Sequence, residues 1–314
     1  MKKKLVAGAV TLLSVVTLAA CANGTNKDIV TMKGDTITVS DFYDEIKSNQ
    51  GAQQVLFQMT INKVFEKEYG SKISDKEVDK ELAKQKKQLG NQFDAYLAQQ
   101  GLTEETAKKQ IRSNMLLEYA VSQAAKKDIK ESDYKTAFES YTPEVTAQII
   151  KLDSEDKAKE VLEAAKAEGA DFAKIAKDNS TDTATKDKGG EVKFDSGTAD
   201  IPSQVKEAAF KLDENGISDV ITVSAGQNYS ASYYIVKLNK KTEKGSDWKK
   251  YEKRLKEIII EGRKQDTNYI RSIIAKAMTN ANIKVKDDAF KSTFNQYLQN
   301  IGVETSDSSS SSKK

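Results

Sequence analysis

Proline occurs only twice in this 314-residue chain, as Pro143 and Pro202. Proline inside a helix removes one backbone hydrogen bond and collides with the preceding turn, so its scarcity leaves long helices open to most of the chain. The sequence before Pro143 uses that freedom. Val55, Leu56, Met59, Val64 and Phe65 recur near helical spacing until Gly70 stops the run. Ser74-Asp75-Lys76-Glu77 is a capping box, a hydroxyl and a carboxylate three residues apart that satisfy each other's backbone N–H groups. It opens a charged helix with Val78, Leu82 and Leu89 as a thin apolar stripe. Thr103 starts another helix through Ile111, Met115, Leu116 and Tyr119. Ahead of these, residues 29–39 predict two short strands about Lys33-Gly34-Asp35, and Ser40 is placed to cap a helix carrying Phe42, Tyr43 and Ile46. Residues 40–140 therefore predict an all-helical region.

Beyond Pro143 the pattern changes. Val145–Leu152 has strand composition, and a helix over Ser154–Glu168 is closed by Gly169. A second helix over Asp171–Lys177 follows, then Gly189-Gly190 leads into a short strand at Glu191–Phe194. A helix over Val205–Leu212 and a last strand at Ser232–Leu238 complete the order β-α-α-β-α-β, a compact α+β domain. From Trp248 the chain reads as helical again. Leu255, Ile258, Ile259, Ile270, Ile273, Ile274 and Ala277 form a stripe too wide for an isolated helix. The stripe, Ile258–Ile274 above all, must be core against the N-terminal helices or the interface of a homodimer. Serines from about Glu304 onward predict a disordered tail.

The N-terminus predicts a destination rather than a fold. Met1-Lys2-Lys3-Lys4 precedes an uncharged, largely apolar run from Leu5 to Ala20, the layout of a secretory signal. At about 16 residues the run lies near the lower limit for crossing a bilayer, which favours cleavage over a retained helix. Leu18-Ala19-Ala20-Cys21 resembles the lipobox of bacterial lipoproteins. The resemblance implies that residues 1–20 are removed and that Cys21 takes a diacylglyceryl group, with residues 21–28 as a lipidated tether. Two or more acyl chains anchor stably where one does not, so the mature chain is expected on the extracytoplasmic face of the cell membrane. Cys21 is also the only cysteine, so no disulfide framework exists.

Composition excludes several chemistries. The chain carries 50 Lys+Arg against 47 Asp+Glu, and removing Lys2, Lys3 and Lys4 with the signal leaves 47 against 47. No basic excess remains for a nucleic acid. Histidine is absent, which removes Ser-His-Asp and Cys-His catalysis, histidine zinc sites and any imidazole general base. No glycine-rich phosphate loop of either nucleotide-binding type occurs, so neither cofactor nor metal is expected.

The middle segment carries a finer signal. Asp171-Phe172-Ala173-Lys174-Ile175-Ala176, Ser180-Thr181-Asp182, Gly189-Gly190-Glu191 and Glu207-Ala208-Ala209-Phe210-Lys211-Leu212 follow one another, then Gly216-Ile217-Ser218-Asp219-Val220 and Tyr234-Ile235-Val236-Lys237. This ordered set resembles parvulin-type peptidyl-prolyl isomerases. With the lipobox and the flanking helices, the whole chain resembles the foldase lipoproteins of Gram-positive bacteria, whose streptococcal members are called proteinase maturation proteins. The resemblance implies an α+β fold, with a mostly helical chaperone domain formed by the N- and C-terminal segments, residues 29–142 and 242–303. A parvulin-like domain is inserted at 143–241, and 304–314 is the serine-rich tail. It further implies prolyl cis-trans isomerisation as the family activity, no cofactor, and unfolded or newly secreted proteins as partners.

In parvulins two histidines and a Cys or Asp form the polar floor of the site. Those positions fall on Gln148, Tyr234 and Asp182 here, so both imidazoles are replaced and weak or absent isomerisation is expected. The apolar wall for the proline ring falls on Ile201, Val205 and Phe210. Plainer roles fit the same residues: Asp182 as a turn cap, Gln148 and Tyr234 as strand residues, Phe210 as core, and Gly189 and Gly190 for backbone geometry alone. Three functions therefore stay open on the sequence. They are a foldase with a feeble isomerase, a client-binding chaperone with an inert parvulin domain, and a solute-binding lipoprotein feeding a transporter. The last would present two α/β lobes of repeated strand-helix units, where this chain has one small α+β domain amid helices.

Overall fold

The computed structural model describes residues 27–225 and 230–298, so the expectations for the signal, for Cys21 and for the serine-rich tail lie outside the described residues. The chain divides into two compact units, one formed by Met1–Val64 with Ala277–Lys314 and the other by Phe65–Lys276.

In the first unit β1 (Asp28–Met32) and β2 (Asp35–Thr38) pair antiparallel, with Val30 opposite Ile37, as the sequence predicts. Helix α1 (Val39–Ile46) is capped by Thr38 and not by Ser40. Thr38 leaves the strand in an extended conformation, so its hydroxyl accepts from Asp41 N at 3.2 Å while the Asp41 carboxylate accepts from Thr38 N at 2.9 Å. Helix α2 (Gln50–Tyr69) runs up to Gly70, and its first half meets the far end of the chain. The Phe57 ring stacks on Tyr297 at 4.3 Å and meets Phe294 edge-on at 5.4 Å. Gln53 Nε2 donates to Ala289 O at 3.0 Å. Val55 and Met59, which recur on the apolar face of the helical pattern, are exposed.

The second unit holds α3 (Asp75–Leu89), α4 (Phe93–Gln99), α5 (Glu104–Asp128) and α6 (Glu131–Ser140). The predicted capping box is present: Ser74 Oγ accepts from Glu77 N at 3.3 Å and the Glu77 carboxylate accepts from Ser74 N at 2.7 Å. Phe65, Val78, Leu82, Phe93, Leu97, Ile111 and Leu116 are buried in this helical part. Arg112 ties it together, with its guanidinium forked on Glu66 at 2.8 and 2.9 Å and donating to the carbonyls of Gly70 and Ile73. Gly70 O also accepts from Ile73 N at 3.4 Å, so the Arg112 side chain braces the tight turn that follows α2. Helix α7 (Glu155–Lys166) and α8 (Phe172–Asn179) follow β3 (Val145–Leu152), and α9 (Ser203–Lys211) follows β4 (Glu191–Phe194). Two further strands, β5 (Ile221–Ala225) and β6 (Ser230–Lys241), complete an antiparallel sheet of order β4-β3-β6-β5.

Strand β5 is absent from the sequence reading. It is five residues at a sheet edge, hydrogen-bonded on one side only, so it carries little alternation of its own. The residues of β3 divide between two cores. Val145, Ala147 and Ile149 pack with α9, while Ile150 and Leu152 pack with α7 and α8.

Helix α10 (Glu252–Gln265) packs on α5 and α6, and Leu255 of the C-terminal stripe is fully buried. Arg263 fixes the contact by donating to Ala125 O at 3.0 Å and to Asp133 at 2.8 Å. Two more helices follow, α11 (Thr267–Asn280) and α12 (Lys291–Leu298). No helix among the described residues is long and apolar enough to cross a membrane.

Candidate functional site

Tyr234 lies on β6, opposite Lys151 of β3 in the centre of the sheet. Its ring packs on the α9 side, against the cluster that contains Ile149, Ile201, Val205, Ala209 and Val236. Phe210 joins the same cluster, its ring 5.8 Å from Phe194. The structure thus brings Tyr234 together with all three residues of the expected apolar wall. Val205 is fully buried and Ile201 nearly so, which makes them the base of the wall, while Phe210 and Tyr234 are half-buried at its margin.

Asp182 reaches this neighbourhood through the loop after α8. Ser180, almost fully buried, accepts from Lys151 N at 3.2 Å and from Asp182 N at 3.2 Å, while Thr181 N donates to Lys151 O at 2.8 Å. The loop is clipped to the end of β3 next to Tyr234's partner. Burial raises the Tyr234 phenol above its ordinary pKa, and the negative charges of Asp182 and Asp153 raise it further. The phenol therefore stays protonated, a neutral donor. The Asp182 carboxylate spends its own lone pairs on a turn: Thr185 Oγ1 donates to one oxygen in a short hydrogen bond, and Ala184 N donates to the other at 3.3 Å. The turn-cap reading of Asp182 is what the geometry contains, with Tyr234 within its electrostatic reach.

Gln148 stands apart from the other two. Its neighbours in β3, Ala147 and Ile149, face α9, so strand alternation turns Gln148 to the opposite face. There its Nε2 donates to Gly189 O at 2.9 Å. The adjoining glycine is required for that approach. Gly190 has φ +79°, and a Cβ on it would stand 2.4 Å from Ile149 O. With no Cβ, the chain lies flush on β3 and Ile149 N donates to Gly190 O at 2.8 Å.

One cluster in this domain has no counterpart in the sequence reading. Asp195, buried at the end of β4, accepts from Arg254 Nε at 2.6 Å, Arg254 Nη2 at 2.8 Å, Thr198 Oγ1 at 3.0 Å and Tyr141 Oη at 3.1 Å. Residues 59 positions apart carry no local signal of pairing. Among the described residues no group of three or more Cys, Asp or Glu is placed to hold a metal.

Comparison with known proteins agrees with this geometry. Residues 141–240 match the rotamase family model, the PPIC-type PPIASE domain. The chain is 62% identical over 302 residues to the foldase protein PrsA of Streptococcus sanguinis strain SK36, covering 96% of this chain and 90% of that one. It is 60% identical to the foldase protein PrsA of Streptococcus gordonii over the full length of both. The crystal structure of foldase protein PrsA from Streptococcus pneumoniae superposes with a TM-score of 0.81 at 54% identity, over 86% of this chain and 99% of that one. Identity of this order across helices and parvulin domain alike leaves one conclusion, that the chain belongs to the PrsA foldase family.

Proposed function

We propose that this protein is a lipid-anchored foldase on the extracytoplasmic face of the cell membrane, which assists newly secreted chains and isomerises prolyl bonds weakly. The observation that carries the reading is a complete parvulin scaffold with altered polar groups. Tyr234 and Asp182 stay on or near the α9 face, while the Gln148 amide is committed to the Gly189 carbonyl on the other.

Rotation about a prolyl imide needs no nucleophile, only an apolar seat for the ring and polar groups that favour the twisted bond over the planar one. Binding of an apolar segment scales with buried area, which Ile201, Val205 and Phe210 supply. Rate depends on placement, and polar groups set about 1 Å off the productive geometry lose on the order of a hundredfold. Chaperone action should therefore outlast catalysis.

The test compares wild type, Asp182→Ala and Gln148→His/Tyr234→His in prolyl-peptide isomerisation and in suppression of client aggregation. All three should suppress aggregation, with low turnover in wild type. Robust wild-type turnover abolished by Asp182→Ala would overturn the weak-enzyme reading. Wild-type turnover indistinguishable from buffer favours the second reading, a pure client-binding chaperone. The anchor is tested separately: Cys21→Ala should release the protein from the membrane fraction or leave it unprocessed. A variant that remains processed and detergent-extractable removes the lipid from the account.

A further inference from the structure

The unit formed by the two chain ends contains an open groove of about 740 Å³. Ile46, Val55, Leu56, Met59, Phe290 and Phe294 line it, and Val55 and Met59 remain 60% and 53% exposed. One wall has an unusual backbone. After α11 the chain turns at Asn282, whose φ is +51°, and Ile283 N closes back on Met278 O at 3.2 Å. The left-handed residue throws the chain out of the helix into Ile283-Lys284-Val285-Lys286. Lys284, Val285 and Lys286 belong to no helix or strand, and among the described residues their backbone groups make no hydrogen bond. Exposure alternates along the stretch, with Ile283 and Val285 half-buried and Lys284 and Lys286 exposed. Neither lysine has an ion-pair partner among the described residues.

We infer that this wall is a docking edge for an extended segment of an unfolded polypeptide in which apolar residues alternate with acidic ones. The inference rests on the foldase reading and names the class of segment that the helical unit takes. Free N–H and C=O groups along a stretch whose exposure alternates residue by residue are matched in kind by another peptide backbone, and a lipid chain offers them nothing. Three residues present about 10 Å of edge, enough for a short two-stranded ladder. Paired there, the segment would send alternate side chains into the groove over Val55 and Met59. The intervening carboxylates would meet Lys284 and Lys286. The groove's apolar floor sets what is bound, and the two free cations set which sequences are preferred.

Fluorescence anisotropy on the full mature chain in detergent tests this, with a labelled peptide of about ten residues in which valine or phenylalanine alternates with glutamate. Lys284→Glu/Lys286→Glu should weaken binding about tenfold or more, and a matched peptide with lysine for glutamate should bind the variant better than it binds wild type. Methylating alternate backbone nitrogens of the peptide on its pairing edge should weaken it at least as much. An unchanged affinity for either the charge-reversed protein or the methylated peptide overturns the inference. So does light scattering that finds the groove filled by a second copy, with peptide affinity falling as protein concentration rises. Aggregation suppression by wild type, measured in parallel, judges the foldase reading independently. If wild type suppresses aggregation while the peptide fails these tests, only the docking edge is lost. If wild type does not suppress aggregation, the foldase reading falls whatever the peptide does.

Discussion

Deleting the guanidinium of Arg254 is expected to destabilise the larger unit by about 3 kcal/mol. Asp195 is only 6% exposed, and burial alone would oppose its ionisation. The fork from Arg254 and the hydroxyls of Thr198 and Tyr141 outweigh that penalty and hold the carboxyl below its ordinary 3.8. In Arg254→Ala the charge would remain, with neutral donors alone around it. Removing one partner of a buried pair costs about 3–5 kcal/mol, and the lower end applies because the Arg254 side chain keeps 36% of its exposure, so water replaces part of the loss. For a unit of this size that corresponds to a fall in Tm of about 6–12 °C. Trp248, the only tryptophan, stacks on Tyr134 at 5.0 Å in the same unit and reports the transition by fluorescence. The sign of the pH dependence follows from the lowered pKa. The pair's contribution is present above about pH 4 and is lost as pH falls through the still lower folded value, so wild type and variant should converge in acid. A Tm within about 2 °C of wild type at pH 7, or a gap that persists undiminished to about pH 2, would refute the reasoning.

Gly190→Ala should cost about 2 kcal/mol or more in urea unfolding, because the residue sits at φ +79° with Ile149 O in the space of its Cβ. A change under about 0.5 kcal/mol would mean that the glycine is not required there. Arg112→Lys keeps the charge but loses the fork on Glu66 and the bonds to the Gly70 and Ile73 carbonyls, at about 1–3 kcal/mol by the same assay. Prolyl isomerisation and aggregation suppression should both stay level between about pH 6 and pH 8, since the chain has no imidazole and the Tyr234 phenol is raised above its ordinary 10. A midpoint near 6.5 in either assay would contradict this.

What the sequence made legible is what local physics specifies. Ser74 and Glu77 satisfy each other three residues apart, and β3 and β4 alternate sharply between flanking signals, so their bounds coincide with the structure. The cap of α1 slipped by two residues because Thr38 and Ser40 are both hydroxyl residues and the choice depends on where β2 ends. Helical periodicity puts Val55 and Met59 on one apolar face without saying what covers it, and both are exposed. The pairs Asp195–Arg254 and Arg263–Asp133 join residues far apart in the chain, and no spacing rule addresses them. Family resemblance names Tyr234, Ile201, Val205 and Phe210, which the structure gathers in one cluster. The face on which each one lies was not legible in the sequence, because that required the β3–β6 register.

That register changes what the loss of the two histidines means. Ile149 opposite Val236 and Ile150 opposite Ile235 fix the faces, and Gln148 and Tyr234 therefore belong to different environments. At position 148 the side chain supplies one hydrogen bond to the Gly189 carbonyl, holding the glycine turn against β3. A neutral imidazole can donate one such bond, and so can a glutamine amide, so the exchange preserves the turn and removes no group from the α9 face. At position 234 the exchange acts on the wall itself. A phenol there is bulkier, stays protonated, and stands where Asp182 holds negative charge. The polar floor proposed for the site thus reduces to a neutral donor and a carboxylate already engaged by Thr185 and Ala184, beside the apolar cluster of Ile201, Val205 and Phe210. Such a surface can hold an apolar segment while doing little to favour a twisted imide, which is why binding and turnover should separate in this protein.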